Sequence, residues 1–261
     1  MRSLSKSSTL VTSIEQLELV VNDDPFADEG FVERFSDRRC EHDSVNSCID
    51  EPAILERVRS FEPDTILEVG CATGMLTKQL ALHTCGLVAI DRSALMIRKA
   101  QAEVQEPNVS FVHCEFDRFA TDRKFEMVVA GMTVHLIEDL ASFVTKAHGV
   151  LEIGGRLVFS QRHPVRTCNP NGASNVGEEP NWRTARYFDR GIRNYEWLNR
   201  PVTCFHRSIE EIVATVVKSC LQIVEIAEPQ PITTDHSDRI QENFSSPSVL
   251  LIHAVKAEAQ G

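Results

Sequence analysis

The pattern of apolar and polar positions changes at about residue 52. Before it, residues 1 to about 12 are rich in serine and threonine, and residues 14–50 hold short amphipathic stretches broken by acidic turns such as NDDPFADEG. The first of these is expected to fray. After it, apolar runs alternate with amphipathic stretches. PAILERVRSF has helical spacing, with Pro52 suited to a first turn. TILEVG, GLVAID, VSFVHCE and FEMVVAG predict strands, and MLTKQLALH, SALMIRKAQAEV and LASFVTKAHGVL predict helices. A Gly-Gly turn then leads into a fifth strand, GGRLVFSQ. Such alternation predicts a parallel sheet with helices on both faces.

The rhythm fails at about residue 162. Through RHPVRTCNPNGASNVGEEPNWRTARYFDRGIRNYEWLNRPVTCFHR, glycine, proline, asparagine and aromatic residues replace periodicity. A segment this long within a compact domain reads as a functional insertion or lid. The α/β pattern resumes with SIEEIVATVVKSCL, a helix with Ser208 as its cap and Glu211 three residues on. Two late strands follow, LQIVEIAE and SVLLIHAVK, suited to antiparallel pairing at one sheet edge. The expected fold is α/β: a doubly wound, seven-stranded, mostly parallel sheet with an N-terminal helical cap and an inserted lid. Its expected divisions are a tail and cap helices (1–51), a ligand-binding α/β core (52–164), the lid (165–207), and a C-terminal helix and strands completing the sheet (208–261).

Composition narrows the class. A chain of 261 residues with 42% hydrophobic and 25% charged residues suits one large α/β domain with a full core. The net charge is −11 and no run of lysine or arginine is present. That argues against nucleic acid, whose binding rests on clustered positive charge. Eight cysteines occur without a C-x-x-C pair or a Cys/His cluster of zinc spacing, so no metal site is expected. They read as buried thiols in a reducing cytoplasm. The N-terminal stretch lacks the apolar region of a signal peptide. No apolar run approaches the ~18 residues of a membrane span. A cytoplasmic protein with no membrane partner is expected.

Ligands of open α/β sheets bind at the carboxyl ends of the strands, so the strand ends matter most. ILEVGCATGM looks like a nucleotide loop, but Ala72 and Met75 stand where G-x-G-x-x-G has its second and third glycines, leaving Gly70 and Gly74. A P-loop lysine is also missing. The strand ends instead carry carboxylates. Asp91 closes the second strand, where it would accept both hydroxyls of a ribose. Glu115 closes the third and would accept from an adenine amino group, with Phe116 flanking the ring and Met96 on its other face. Met96 reads equally well as a core residue. With Glu68, these carboxylates suit a ligand bearing a sulfonium, an ammonium and a ribose, which is S-adenosylmethionine.

ILEVGCATG, the aspartate of VAID, FVHCEF, FEMVVAGMTVHL and VLEIGGRLVFS, in that order, resemble the successive motifs of the class I S-adenosylmethionine-dependent methyltransferases. The resemblance is close over about residues 52–161 and looser in the terminal strands. It implies a Rossmann-like methyltransferase fold. By position it implies that Gly70, Ala72 and Gly74 face the methionine end of the cofactor and Glu68 its ammonium. Asp91 would take the ribose hydroxyls. Arg92, Met96, Glu115 and Phe116 would surround the adenine, and Ala130 to Met132, with Gly131 between, would pass beside the sulfonium. Ala72 departs from the commonest glycine pattern, which is tolerable where no pyrophosphate must be cleared. Glu115 stands where aspartate is more usual. RRCEHDSVNSCIDEPAI resembles the pre-domain helix that closes over the cofactor, without the aromatic residue common near Cys48.

Methyl transfer from a sulfonium is an in-line displacement, so the protein chiefly aligns the partners and excludes water. A base is needed only where the acceptor must lose a proton. His163 and His135, at the ends of the fifth and fourth strands, are the candidate catalytic bases, with His206, Tyr195 and His42 as further candidates. The fourth strand ends in Ala130, Gly131 and Met132. It lacks both the asparagine-proline signature of amide and DNA-base methylators and a carboxylate for magnesium. The insertion holds Trp182, Tyr187, Phe188, Tyr195, Trp197 and Phe205, including both tryptophans and both tyrosines of the chain. It reads as an aromatic lid over a planar or apolar small acceptor. The expected function is methyl transfer to oxygen or nitrogen of a small aromatic or heteroaromatic secondary metabolite. Two alternatives remain open: an enzyme that consumes the sulfonium by cyclisation, and a non-catalytic module that binds it.

Overall fold

A computed structural model describes residues 24–169, 184, 186–232 and 238–258. Its strands are β1 (Thr65–Val69), β2 (Gly86–Asp91), β3 (Val109–His113), β4 (Phe125–Ala130), β5 (Leu151–Arg162), β6 (Gly191–Trp197), β7 (Arg200–His206), β8 (Gln222–Ala227) and β9 (Val249–Val255). Seven form one sheet in the order β3-β2-β1-β4-β5-β9-β8. The first five are parallel, and β9 runs antiparallel between β5 and β8. The order reverses between β1 and β4, which places a ligand crevice at their carboxyl ends.

The helices are α1 (Glu29–Cys40), α2 (Glu51–Phe61), α3 (Met75–Leu80), α4 (Ala94–Glu103), α5 (Leu140–Val150), α6 (Pro164–Thr167), α7 (Ile209–Lys218) and α8 (Asp238–Gln241). Period-2 alternation sends neighbouring strand residues to opposite faces. Leu67, Val128, Leu157 and Phe159 meet Phe143 and Val144 of α5 and Ile212 and Val216 of α7. Ile66, Met127, Val129 and Val158 meet Ile54 and Val58 of α2 and Leu76 and Leu80 of α3. Helices on both faces explain why the strands read as continuous apolar runs. Fully buried Phe125 and Phe159 each contribute roughly 1.5–3 kcal/mol from burial. Ser208 caps α7 as expected, its Oγ accepting from the Glu211 N–H at 3.2 Å.

Three local features differ from expectation. The Gly-Gly pair does not precede β5 but lies inside it: Gly154 has φ +81°, and the register against β4 slips between Phe125 and Met127. This is a β-bulge. A Cβ on Gly155 would lie 2.9 Å from the Glu152 carbonyl oxygen and 3.1 Å from that of Glu126, so the crowded backbone there demands glycine. The second feature is a β-hairpin, β6–β7, within the segment read as aperiodic. Its two turn residues, Leu198 and Asn199, have φ +51° and +60°, the left-handed pair of a type I′ turn. Third, the cysteines are free, but only Cys48, Cys71, Cys168 and Cys204 are buried, whereas Cys40, Cys85 and Cys220 are exposed. Among the described residues no helix is long and apolar enough to cross a membrane, and no His/Cys/Asp/Glu group could hold a metal.

Candidate active site

A cavity of about 920 Å³ opens over the carboxyl ends of the parallel strands. It stands at the upper end of the ~300–1,000 Å³ typical of small-molecule sites. Of the residues singled out from sequence, Glu68, Gly70, Ala72, Asp91, Arg92, Met96, Glu115, Phe116, Gly131 and His135 line it together. Gly74 and His163 do not.

The loop after β1 is shaped by left-handed backbone. Gly70 has φ +78°, and its N–H donates to the Ile90 carbonyl at 2.8 Å. A Cβ at Gly70 would fall 2.4 Å from Thr133 Oγ1. Ala72 takes φ +47°, and its N–H donates to Asp91 Oδ2 at 2.9 Å, while Ser93 N–H donates to Asp91 Oδ1 at 2.8 Å. Asp91 thereby ties the β1 loop to the β2 loop, and each of its oxygens keeps a further lone pair for a ligand. Burial raises the Asp91 pKa, and the backbone hydrogen bonds from Ser93 and Ala72 pull it back. Gly74 has a different role from the one expected. It begins α3 at φ +85°, where a Cβ would lie 2.9 Å from Val104 Cγ2 and 3.2 Å from Ala100 Cβ. Its bareness serves the packing of α3 against α4, not approach to a ligand.

Beyond β2 and β3 the wall is mixed. Met96 is fully buried and packs with Phe31, Phe35 and Val202, so it is both core and cavity wall. Phe116 meets Phe143 edge-on at 5.4 Å. The Glu115 side chain is half-exposed and lies 3.4 Å from Arg118. Arg92 is held by Asp24 at 3.0 Å and stands over the Phe26 ring at 5.6 Å.

The sequence reading missed an ionisable cluster from the pre-domain segment. Asp50 ends a π-helical turn, Asn46–Asp50, that runs straight into α2. Burial pushes its carboxyl up to about 7, against a lowering hydrogen bond from Ser160. Glu68 is likewise raised to about 7 by burial, opposed by Thr77 Oγ1, which donates to its Oε2 at 2.6 Å. Arg39 donates through Nη2 to Glu51 Oε1 at 2.6 Å. Asp50 Oδ1 and Arg39 Nε and Nη1 are buried without a hydrogen-bond partner among the described residues. Such orphaned groups cost about 1–3 kcal/mol each. Asp50 and Arg39 both line the cavity. The only sequence signal was their place in a segment resembling a cofactor-closing helix.

On the β4–β5 side, Met132 takes φ +46° and donates its N–H to Ser160 Oγ at 2.7 Å. His135 is buried, and burial, with Arg162 and Arg207 nearby, lowers its pKa to about 3. Its ring is therefore neutral at physiological pH, with Nδ1 accepting from the Arg162 backbone N–H at 3.5 Å. The Arg162 guanidinium stands 4.3 Å over the Tyr195 ring. Above them, α1 and the hairpin form a roof. Trp197 meets Phe31 at 5.8 Å and Phe35 at 5.5 Å, both edge-on, and Arg34 Nε donates to the Leu198 carbonyl at 3.0 Å.

The structure corrects the expectation for His163. Its Nε2 lies 2.7 Å from Glu228 Oε1, and its Nδ1 accepts from Val165 N–H at 3.2 Å. The side chain points into a separate hollow shared with Tyr187 and Phe188. With both ring nitrogens engaged, it caps α6 and does not reach the main cavity. His206 is also fully engaged, by Thr167 Oγ1 at 2.7 Å and the Tyr187 carbonyl at 2.8 Å. His42 is exposed and is not among the cavity-lining residues. Of the six lid aromatics, Tyr195 and Trp197 line the cavity, while Tyr187, Phe188 and Phe205 do not; Trp182 lies outside the described residues.

This architecture, with carboxylates at the ends of β1, β2 and β3 around one cavity, is that of the S-adenosylmethionine-dependent methyltransferases. Residues 66–155 match the family described as "Methyltransferase domain". An uncharacterized Haemophilus influenzae protein is 25% identical over 88% of this chain and 96% of its own length. A malonyl-[acyl-carrier protein] O-methyltransferase of Priestia megaterium is 30% identical over 36% of this chain, a match that spans 35% of that relative. A Listeria monocytogenes crystal structure ascribed to the S-adenosylmethionine-dependent methyltransferases shares 25% identity, covers 80% of this chain and 97% of that one, and superposes with a TM-score of 0.71. Residues 66–155 are thus a methyltransferase domain, set in the Rossmann-like fold of the S-adenosylmethionine-dependent methyltransferases.

Proposed function

We propose that this protein transfers the methyl group of S-adenosylmethionine to oxygen or nitrogen of a small aromatic or heteroaromatic metabolite held beneath the roof of α1 and the hairpin. The observation that carries the reading is the convergence of Glu68, Gly70, Asp91 and Glu115 on one cavity. The orphaned atoms supply the test of fit. A guanidinium edge on Arg39 and a free oxygen on Asp50 match the carboxylate and ammonium of an amino acid, and the raised Asp50 carboxyl ionises more readily beside a cation. When bound, the cofactor supplies a methyl group already activated by its sulfonium.

The rest of the work belongs to the chain. In this reading Asp91 accepts from the ribose, Arg39 and Asp50 hold the amino-acid end with Glu68 behind them, and Met96, Arg92, Glu115 and Phe116 bound the adenine. The turn at Gly131 and Met132 sets the line of attack. The roof, whose hairpin belongs to the proposed 165–207 lid, excludes water through Trp197 packed on α1. His135, held neutral, orients the acceptor more than it removes a proton, because a base with a pKa near 3 takes up little proton at neutral pH. Tyr195 and Trp197 suit an aromatic or heteroaromatic acceptor.

The test is to incubate the purified protein with S-adenosylmethionine and a small-molecule extract and to identify the nucleoside product by mass spectrometry. Extract-dependent S-adenosylhomocysteine supports methyl transfer. Methylthioadenosine instead would identify a cyclising enzyme, and unchanged cofactor that nonetheless binds would identify a non-catalytic module.

A further inference from the structure

Glu68, Asp91 and Glu115 line the cavity at the ends of β1 to β3, where the nucleoside is read to lie. Two strands from β1, the end of β5 contributes an arginine. Neighbouring strands are spaced ~4.8 Å apart, so the β5 end stands about 10 Å across the sheet from β1, on the side left for the acceptor. Arg162 is the last residue of β5 and is only half-buried. Its guanidinium stands 4.3 Å from the centre of the Tyr195 ring and its side chain also hydrogen-bonds Tyr195, which is contributed by the hairpin roof.

The other cavity-lining arginines differ from it. Arg38 pairs with Glu41, Arg39 with Glu51, Arg92 with Asp24 and Arg166 with Glu242. Arg162 has no carboxylate within ion-pair distance among the described residues, and its neighbour His135 is neutral. A guanidinium anchored on one tyrosine keeps further N–H groups for a ligand, and its fork is matched to the two oxygens of a carboxylate. The aromatic surface beside it, Tyr195 and then Trp197, suits a planar body attached to that group.

Resting on the methyltransferase reading above, we infer that the acceptor is a small carboxylic acid whose carboxylate is bound by Arg162, with Tyr195 holding the guanidinium in place. Arg162 is thus a specificity-determining residue: it selects the anion over its neutral isosteres. Tyr195 is a positioning residue that acts through it.

The experiment separates this inference from the reading beneath it. S-adenosylhomocysteine binding to the full-length protein is measured first by calorimetry, and its failure would bear on the cofactor site alone. The loaded protein is then titrated with benzoate, indole-3-carboxylate and malonate, with the amide of each, and with phenyl phosphate. At least one acid is expected to bind at least tenfold more tightly than its amide and than phenyl phosphate. Arg162→Met should abolish that preference, Arg162→Lys should keep a smaller one because the charge remains without the fork, and Tyr195→Phe should change it only a few-fold. All three variants should bind S-adenosylhomocysteine within about threefold of wild type, which also shows that they fold. The inference is overturned if no acid binds to the loaded protein, if the amides bind as well as the acids, or if Arg162→Met keeps the preference. Tighter binding of phenyl phosphate than of every acid would also overturn it, in favour of a phosphorylated acceptor.

Discussion

Replacing Asp50 by asparagine should make the ligand-free protein more stable and the cofactor site weaker. The Asp50 carboxyl titrates near 3.8 when unfolded and near 7 in the folded chain, because burial penalises its charge. The folded state therefore binds more protons than the unfolded state between those values, and stability must fall as pH rises through that window. The slope is about 1.4 kcal/mol per pH unit, which sets a ceiling of ~4 kcal/mol at pH 8. Local relaxation and water entry reduce such penalties, leaving about 1–2 kcal/mol as the expected gain for Asp50→Asn. An asparagine carries no charge to bury, and its side-chain oxygen still accepts from Ser160. In a protein of this size the gain amounts to roughly 3–6 °C in Tm at pH 8, shrinking toward zero as pH approaches 4. Cofactor affinity should move the other way. Losing a hydrogen-bonded charge pair with the ammonium costs about 1.5–3 kcal/mol, or roughly ten- to a hundredfold in Kd. Thermal melts from pH 4 to 8, with and without S-adenosylhomocysteine, measure both. A Tm difference that is absent or independent of pH, or an unchanged affinity, would refute the reasoning.

Three further outcomes are expected. Gly70→Ala places a methyl group at φ +78°, 2.4 Å from Thr133 Oγ1; the backbone alone costs about 1–2 kcal/mol, and adding Thr133→Ala should recover only the clash, as read by thermal melts of the single and double variants. Trp197→Ala strips the roof from Phe31 and Phe35, at about 2 kcal/mol or somewhat more for a half-buried aromatic, and should raise the acceptor KM more than it weakens S-adenosylhomocysteine binding. His163→Gln should leave the pH–rate profile in place while costing about 1 kcal/mol of stability through its lost contact with Glu228; a profile that lost its acidic limb would return His163 to the chemistry.

What could be read in advance followed from local rules. The β1–β5 strands and their helices were legible because both sheet faces are covered, which makes the runs apolar and the intervening stretches amphipathic. The Asp91 site was legible because its place is set by the end of β2. Gly74 and the Gly154–Gly155 pair were visible as glycines, but their use depends on what lies opposite: Ala100 and Val104 for the first, a bulge against β4 for the second. The hairpin was hidden because its turn uses Leu-Asn at left-handed φ in place of the Asn-Gly that signals such turns. Its register against α1 is a long-range contact, carried by Trp197 and Arg34. His163 and His135 looked alike in sequence, each following a strand, and only side-chain direction separates them. Asp50 and Arg39 sit eleven positions apart, and only the turn between α1 and α2 brings both to one cavity.

The central claim is that one acidic pocket at the ends of β1 and β2 receives the ribose and amino-acid arms of S-adenosylmethionine. It is tested most directly by calorimetric titration of S-adenosylhomocysteine into the wild-type protein and Asp91→Ala. One site per chain is expected in the wild type and at least tenfold weaker binding in the variant, about 1.4 kcal/mol. No binding to the wild type, or equal affinity in a correctly folded Asp91→Ala, would contradict it.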